Sequence, residues 1–388
     1  MALLELNKRF LRQQVKFLEH HKPPMLLLKS PLKLFAFILI LSALFLSGCK
    51  NPFNPKSKQQ SATLLKTDDA SQEQLYEQIN YMAKVDSMSA DMNLKFEDNS
   101  YASQGIAEKY KTADGKVIVQ RPSSIFLKVE VPLIGTDVAQ MASNGERFCV
   151  AILQDGGSGK YKKFVCGTND VDYSALQKRV VEQESGNESK DVKQSVNAFA
   201  NLRPQHFTDA VLVRPIDKEK YTYLKSTIVQ EEIDFSLYKK KSPLGWVLRG
   251  YYLLDEFGKA DDGSMQILRR FWFDRVGGIR LARQQIFDKQ SEIESDIVYG
   301  TVGGLTETED YKLPLRIEVT RPKEKYKMSL VYKVPKAVNI GKEYPVTGFT
   351  LKNTWELEEL DLDKKLLEAQ SQQTQQPSGT NSVKAAGN

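Results

Sequence analysis

Histidine and cysteine are scarce in these 388 residues, three of each. His20 and His21 fall in the first 48 residues, so a Ser-His-Asp arrangement could draw only on His206. In Arg203-Pro204-Gln205-His206-Phe207 a helix-terminal or surface histidine is the plainer reading. No CxxC pair exists, which leaves a zinc site without ligands. There is no Gly-x-Ser-x-Gly elbow, and Gly159-Lys160 is followed by Tyr161 and has Gln154 where a phosphate loop needs glycine. The carboxylate pairs Asp261-Asp262 and Glu231-Glu232 stand in polar surroundings that suit solvated turns and strand edges. These absences argue against an enzyme and against a bound metal or cofactor.

What is present begins with an uncharged apolar run, residues 34–46, that follows Lys29 and Lys33 and ends in Leu46-Ser47-Gly48-Cys49. Helical, it would reach only roughly 20 Å, short of a ~30 Å hydrocarbon core, so a cleaved signal fits better than a spanning helix. The stretch resembles the lipobox of bacterial lipoprotein precursors. The resemblance implies a diacylglycerol thioether on Cys49 and removal of residues 1–48, with several acyl chains anchoring the mature chain stably. A type I signal, or an uncleaved anchor with a chance cysteine, is the competing reading. The segment before Met25 is superfluous to a leader already complete at Met25, so translation is expected to start there. Lys50 follows the cysteine where an inner-membrane retention signal would place Asp, which favours the outer membrane, facing the periplasm.

Removing the leader also removes the charge. The net +6 is concentrated in residues 1–48, which hold seven basic and two acidic residues, leaving 48 basic against 47 acidic. A chain so balanced offers no electrostatic footprint for nucleic acid. Residues 49–74 read as a polar tether, 75–365 as the folded domain and 366–388 as a Gln/Ser/Thr/Gly-rich disordered tail. With Cys49 modified, Cys149 and Cys166 remain. They flank Asp155-Gly156-Gly157-Ser158-Gly159, and a hairpin centred between Gly157 and Ser158 sets them directly opposite each other, near disulfide range. Two buried free thiols are the alternative.

Apolar residues at Leu75, Ile79, Met82 and Val85 predict an amphipathic helix over 72–85, after which the period switches to two. Met92, Leu94 and Phe96 alternate with polar neighbours, and Ile125, Leu127, Val129 and Val131 alternate with Phe126, Lys128 and Glu130. Asp114-Gly115 and Asn144-Gly145 read as hairpin turns. Residues 170–181, 191–202 and 204–213 read as a helical insert, with 182–190 a polar loop. Strands resume over 221–235, 246–254, 266–274, 279–287, 294–299, 315–319 and 326–332. The pattern is an antiparallel meander with one apolar face, which helices or a ligand must cover.

In this order the parts resemble the LolA/LolB superfamily of periplasmic lipoprotein carriers and outer-membrane receptors. The resemblance lies in the first helix leading into Ser89-Ala90-Asp91-Met92-Asn93-Leu94, in residues 117–121 followed by 125–131, in Val131-Pro132-Leu133-Ile134-Gly135-Thr136, and in residues 313–322. It implies an α+β fold, a large antiparallel, unclosed half-barrel sheet with helices covering the concave apolar face. It implies a cavity there for the acyl chains of lipoproteins or lipids, a soluble periplasmic carrier as partner, and a transfer role for Leu133 with Ile134 beside it. The rows Ile125, Leu127 and Val129, Phe271 and Phe273, and Met328 and Leu330 are the candidate cavity lining, though ordinary core is the default for each. The helical insert and the Cys149-Cys166 hairpin depart from the family pattern. An envelope sensor, or an interaction scaffold on the same fold, is the alternative function.

Overall fold

The computed structural model describes residues 62–98, 108–109, 112–131, 134–154, 162–171, 173, 176, 205–234, 245–308 and 310–374. Residues Ser61–Asn388 make one compact unit. Its strands are β1 (Thr63–Leu64), β2 (Ser87–Asp98), β3 (Glu108–Lys109), β4 (Ala113–Gln120), β5 (Ser124–Glu130), β6 (Asp137–Ser143), β7 (Arg147–Ile152), β8 (Lys163–Thr168), β9 (Thr222–Ile233), β10 (Trp246–Lys259), β11 (Met265–Asp274), β12 (Arg280–Phe287), β13 (Ile293–Tyr299), β14 (Val302–Leu305), β15 (Tyr311–Pro314), β16 (Arg316–Arg321), β17 (Tyr326–Tyr332), β18 (Asn339–Ile340) and β19 (Glu358–Asp361). The α-helices among the described residues are α1 (Gln72–Ala83), α2 (Gln205–Val211) and α3 (Leu362–Thr374). None is long and apolar enough to cross a membrane.

Pairing register places the long strands in the order β9-β10-β11-β12-β13-β16-β17-β2-β4-β5-β6-β7-β8, each antiparallel to the next. β19 adds a parallel edge on β8, and β1 runs parallel to the start of β10. Among the described residues no register joins β9 back to β8 or β19, so the sheet is unclosed. β14 and β15 form a separate hairpin.

Residues directly opposite across a ladder share a face, so register identifies one continuous inner row. It runs through Leu254, Phe271, Gln284, Ile297, Val319, Met328, Phe96 on one side, and through Leu94, Leu330, Ile317 beside it. Across β4 and β5 it continues as Val117 and Leu127, then Met141, Val150 and Val165. Most of these side chains join one buried cluster with Leu75, Tyr76 and Ile79 of α1 and Phe207 and Ala210 of α2. α1 starts where Ser71 and Gln74 close a capping box, each side chain accepting from the other's backbone N–H.

Several expectations need correction. Asp114-Gly115 is not a turn but lies inside β4, opposite Met92 and Val129. A Cβ at Gly115 would fall 2.3 Å from Leu94 Cδ1, so any side chain there displaces that leucine. Asn144-Gly145 does turn, with the Asn144 side chain accepting from Glu146 and Arg147 N–H and Gly145 at φ +98°. The tether docks well before residue 75: β1 pairs with β10, and Asp68 N–H donates to the Arg275 carbonyl at 2.7 Å. The tail is helical as far as Thr374, since Leu362 and Leu366 pack on the core and Asp363 accepts from Thr168 Oγ1 at 2.9 Å. Of the helical insert only α2 and a few flanking positions lie within the described residues.

Candidate functional site

Around β10, β11 and β12 the inner face changes character. Glu256 and Arg269 occupy inner positions directly opposite each other and are buried. Arg269 Nε donates to Glu256 Oε1 at 2.8 Å, Nη2 to Oε2, and Tyr223 donates its hydroxyl to Oε2 at 2.7 Å. Arg269 Nη1 also reaches the Arg214 carbonyl at 3.0 Å, just beyond α2. Each charge therefore has a partner on every side that could otherwise be left unsatisfied. Burial holds the Tyr299 and Tyr223 phenols above the ordinary tyrosine range. Tyr299 donates to the Ala210 carbonyl at 3.2 Å. Burial likewise raises Asp209 on α2, against the opposing charges of Arg214, Arg269 and Arg321.

The ends of the two helices are linked by a guanidinium and by Asn80 of α1, whose Oδ1 accepts from Ile216 N–H at 2.9 Å. Arg121 stands at the β4–β5 turn, and its Nη2 donates to the Ala83 carbonyl at 3.2 Å and to the Val213 carbonyl at 2.7 Å. Ala83 ends α1 and Val213 follows α2 by two residues. The Ala83 carbonyl is one of the acceptors a helix C-terminus leaves unsatisfied, and a cation is favoured there. Asp86 stands 3.4 Å from Arg121 Nε. Burial lowers this guanidinium's pKa, with Asp86 opposing.

All seven candidate lining residues fall in or against the one apolar cluster. Ile125, Leu127, Phe271, Phe273, Met328 and Leu330 are buried within it and Val129 packs on it. A cleft of about 130 Å³ lies elsewhere, on the outer face of β2, β16 and β17, between Lys95, Glu97, Arg316, Glu318, Lys327 and Ser329. It is polar and its charges pair with one another. Cys149 and Cys166 are disulfide-bonded with Cα atoms 4.2 Å apart, on the face opposite Phe148 and Val150. Ile134 sits at the β5–β6 turn, 76% exposed, where Gly135 N–H donates to the Val131 carbonyl and φ is +71°. Leu133 and Cys49 lie outside the described residues. No group of three or more His, Cys, Asp or Glu among the described residues is placed to hold a metal ion.

Sequence reasoning missed Arg121 and the Glu256–Arg269 pair. The pair left a signal, because both residues share parity with Tyr252, Leu254, Phe271 and Phe273 and so had to face inward. Arg121 left none, since its acceptors are backbone carbonyls 38 and 92 residues away.

No family model matches the chain, and no curated protein matches it in sequence. It is similar to solved structures of a LolA superfamily protein from Nitrosomonas europaea (10% identity, 73% of this chain and 99% of that one, TM-score 0.34). Others are a DUF1329 family protein from Desulfovibrio piger (11% identity, 71% and 95%, TM-score 0.33) and an outer membrane lipoprotein-sorting protein domain from Vibrio parahaemolyticus (8% identity, 71% and 95%, TM-score 0.34). Overlays this loose add nothing to the strand register, which defines the open sheet by itself.

Proposed function

We propose that this chain is a non-enzymatic, lipid-anchored envelope protein that takes up acyl chains between the inner face of its sheet and α1 and α2, and passes lipoproteins or lipids at the outer membrane. The observation that carries the reading is the junction at Arg121. Residues of α1 and α2 share the apolar cluster of the inner rows, and Arg121 at the rim donates to a carbonyl at the end of α1 and to one just beyond α2. Burial of acyl chains supplies the drive, about 0.8 kcal/mol per CH2, so no nucleotide need be consumed. Ile134, apolar and exposed at a turn, supplies a contact point for the client or the donor. The membrane is reached through acylated Cys49, and a soluble periplasmic carrier is the expected donor.

One observation favours the alternative, an envelope sensor or scaffold. The inner rows are closed, with Ile125, Phe271 and Phe273 wholly removed from solvent. A carrier on this plan must therefore open its helices to load. Mass spectrometry of the full chain purified from membranes decides between them: copurified acyl lipids or lipopeptides are expected, and a ligand-free protein would leave the scaffold reading standing.

A further inference from the structure

The inner face does not stop where the core stops. β9 and β10 extend beyond the end of β11, which pairs no further than Tyr251 opposite Asp274. On this overhang Trp246 lies opposite Ile233, Leu248 opposite Glu231 and Gly250 opposite Val229, while Leu64 of β1 flanks Leu248 on the other side. These residues share the face of Tyr252 and Leu254, yet Leu64 is 67%, Val229 53% and Trp246 44% exposed. Leu248 and Ile233 are half-buried. The docked segment separates this shelf from the core. Thr67 Cγ2 lies where a Gly250 side chain would begin, and Asp69 accepts from the Tyr252 hydroxyl at 2.8 Å.

We propose that this shelf seats on the lipid surface that holds Cys49. The inference rests on the reading of Cys49 as a lipid anchor, but not on any cargo. Its first support is where the chain leaves the domain. β1, whose Leu64 is part of the shelf, is the first docked element, and the 13 residues 50–62 that separate it from Cys49 can span at most about 45 Å. The anchored surface is thus within reach of this end of the sheet. The second is the composition of the patch. Tryptophan with aliphatic neighbours favours a bilayer interface, and a contiguous exposed apolar patch marks a contact. Glu231, exposed on the same face, limits the depth to the headgroup region. Seating the shelf would turn the edge strand β9 toward lipid and shield its unpaired backbone from other chains.

The test uses the full acylated chain reconstituted into phosphatidylethanolamine/phosphatidylglycerol vesicles whose acyl chains are brominated, with flotation and tryptophan fluorescence read together. Wild type is expected to float and to be quenched. W246F should float equally and lose most of the quenching, whereas W272F and W355F should retain it. A chain that fails to float lacks the surface the shelf needs and overturns the proposal. So does a floating wild type without quenching, or W246F quenched like wild type. Dimers in detergent that W246S converts to monomers, without quenching in vesicles, would assign the shelf to a second copy instead. Loss of lipid uptake with quenching intact would sink the cargo reading and leave this one in place.

Discussion

At the scale of single residues the inner face of the sheet carries charges where aliphatic side chains would be expected. Glu256 and Arg269 each complete the other's hydrogen bonding in a site closed to water. Removing one leaves an uncompensated buried charge, which costs on the order of 3–5 kcal/mol, while replacing both with apolar groups of similar volume is often neutral. E256Q is expected to lose most of that stability in urea unfolding, and the double variant Glu256→Leu with Arg269→Met to regain it. A double variant no more stable than E256Q would show that the pair does more than satisfy itself. Asp209 gives a pH signature. Burial raises its pKa above the ordinary 3.8, so between 3.8 and its folded value the native state holds a proton that the unfolded state has lost. Stability therefore falls as pH rises through that window, by about 1.4 kcal/mol per pH unit. D209N escapes this loss. Its stability should match wild type below pH 3.8 and exceed it increasingly above, and a gap independent of pH would contradict the assignment.

At the scale of elements, the close approach of β4 to Leu94 makes Gly115 a packing residue of the inner face. G115V places branched atoms against a buried leucine on the neighbouring strand and should cost about 1–3 kcal/mol by thermal unfolding. L94A in the same chain should recover part of that cost, since the offending atoms are gone. The same residue shows why local pattern misleads. Asp114-Gly115 has the composition of a type I′ turn, and only the long-range neighbour Leu94 reveals that the glycine answers a steric demand within a strand. Where the demand is local, the sequence is legible: the period of two in 92–96 and 125–129, the helix at Leu75 and Ile79, the turn at Asn144, and the opposition of Cys149 and Cys166 all depend on residues near in the chain. The parallel pairings of β1 on β10 and β19 on β8 depend on contacts more than 180 residues apart, and so the end of the segment read as a tether turned out to be docked.

For the molecule as a whole the question that the proposed function raises is how a closed interior would admit a ligand. The inner rows are buried, so on the proposed function an acyl chain enters as α1 and α2 move, and closed and open states compete. Arg121 biases that competition, because its bonds to the Ala83 and Val213 carbonyls exist only while both helices are seated. Hydrogen bonds to a charged donor contribute about 1.5–3 kcal/mol each, so losing even one would raise the open population roughly ten- to hundredfold. A ligand that binds only the open state then gains apparent affinity by the same factor. R121L is accordingly expected to take up a fluorescent acyl lipid faster and more tightly than wild type, and to leave less of it in acceptor vesicles at equilibrium. Faster amide exchange in 72–83 and 205–211 without ligand should accompany both. The strands of the sheet should exchange as before, because none of their ladder bonds involves the guanidinium. If R121L binds and releases lipid like wild type while its helices exchange faster, then opening does not limit entry, and the ligand reaches the sheet by a route that leaves α1 and α2 in place.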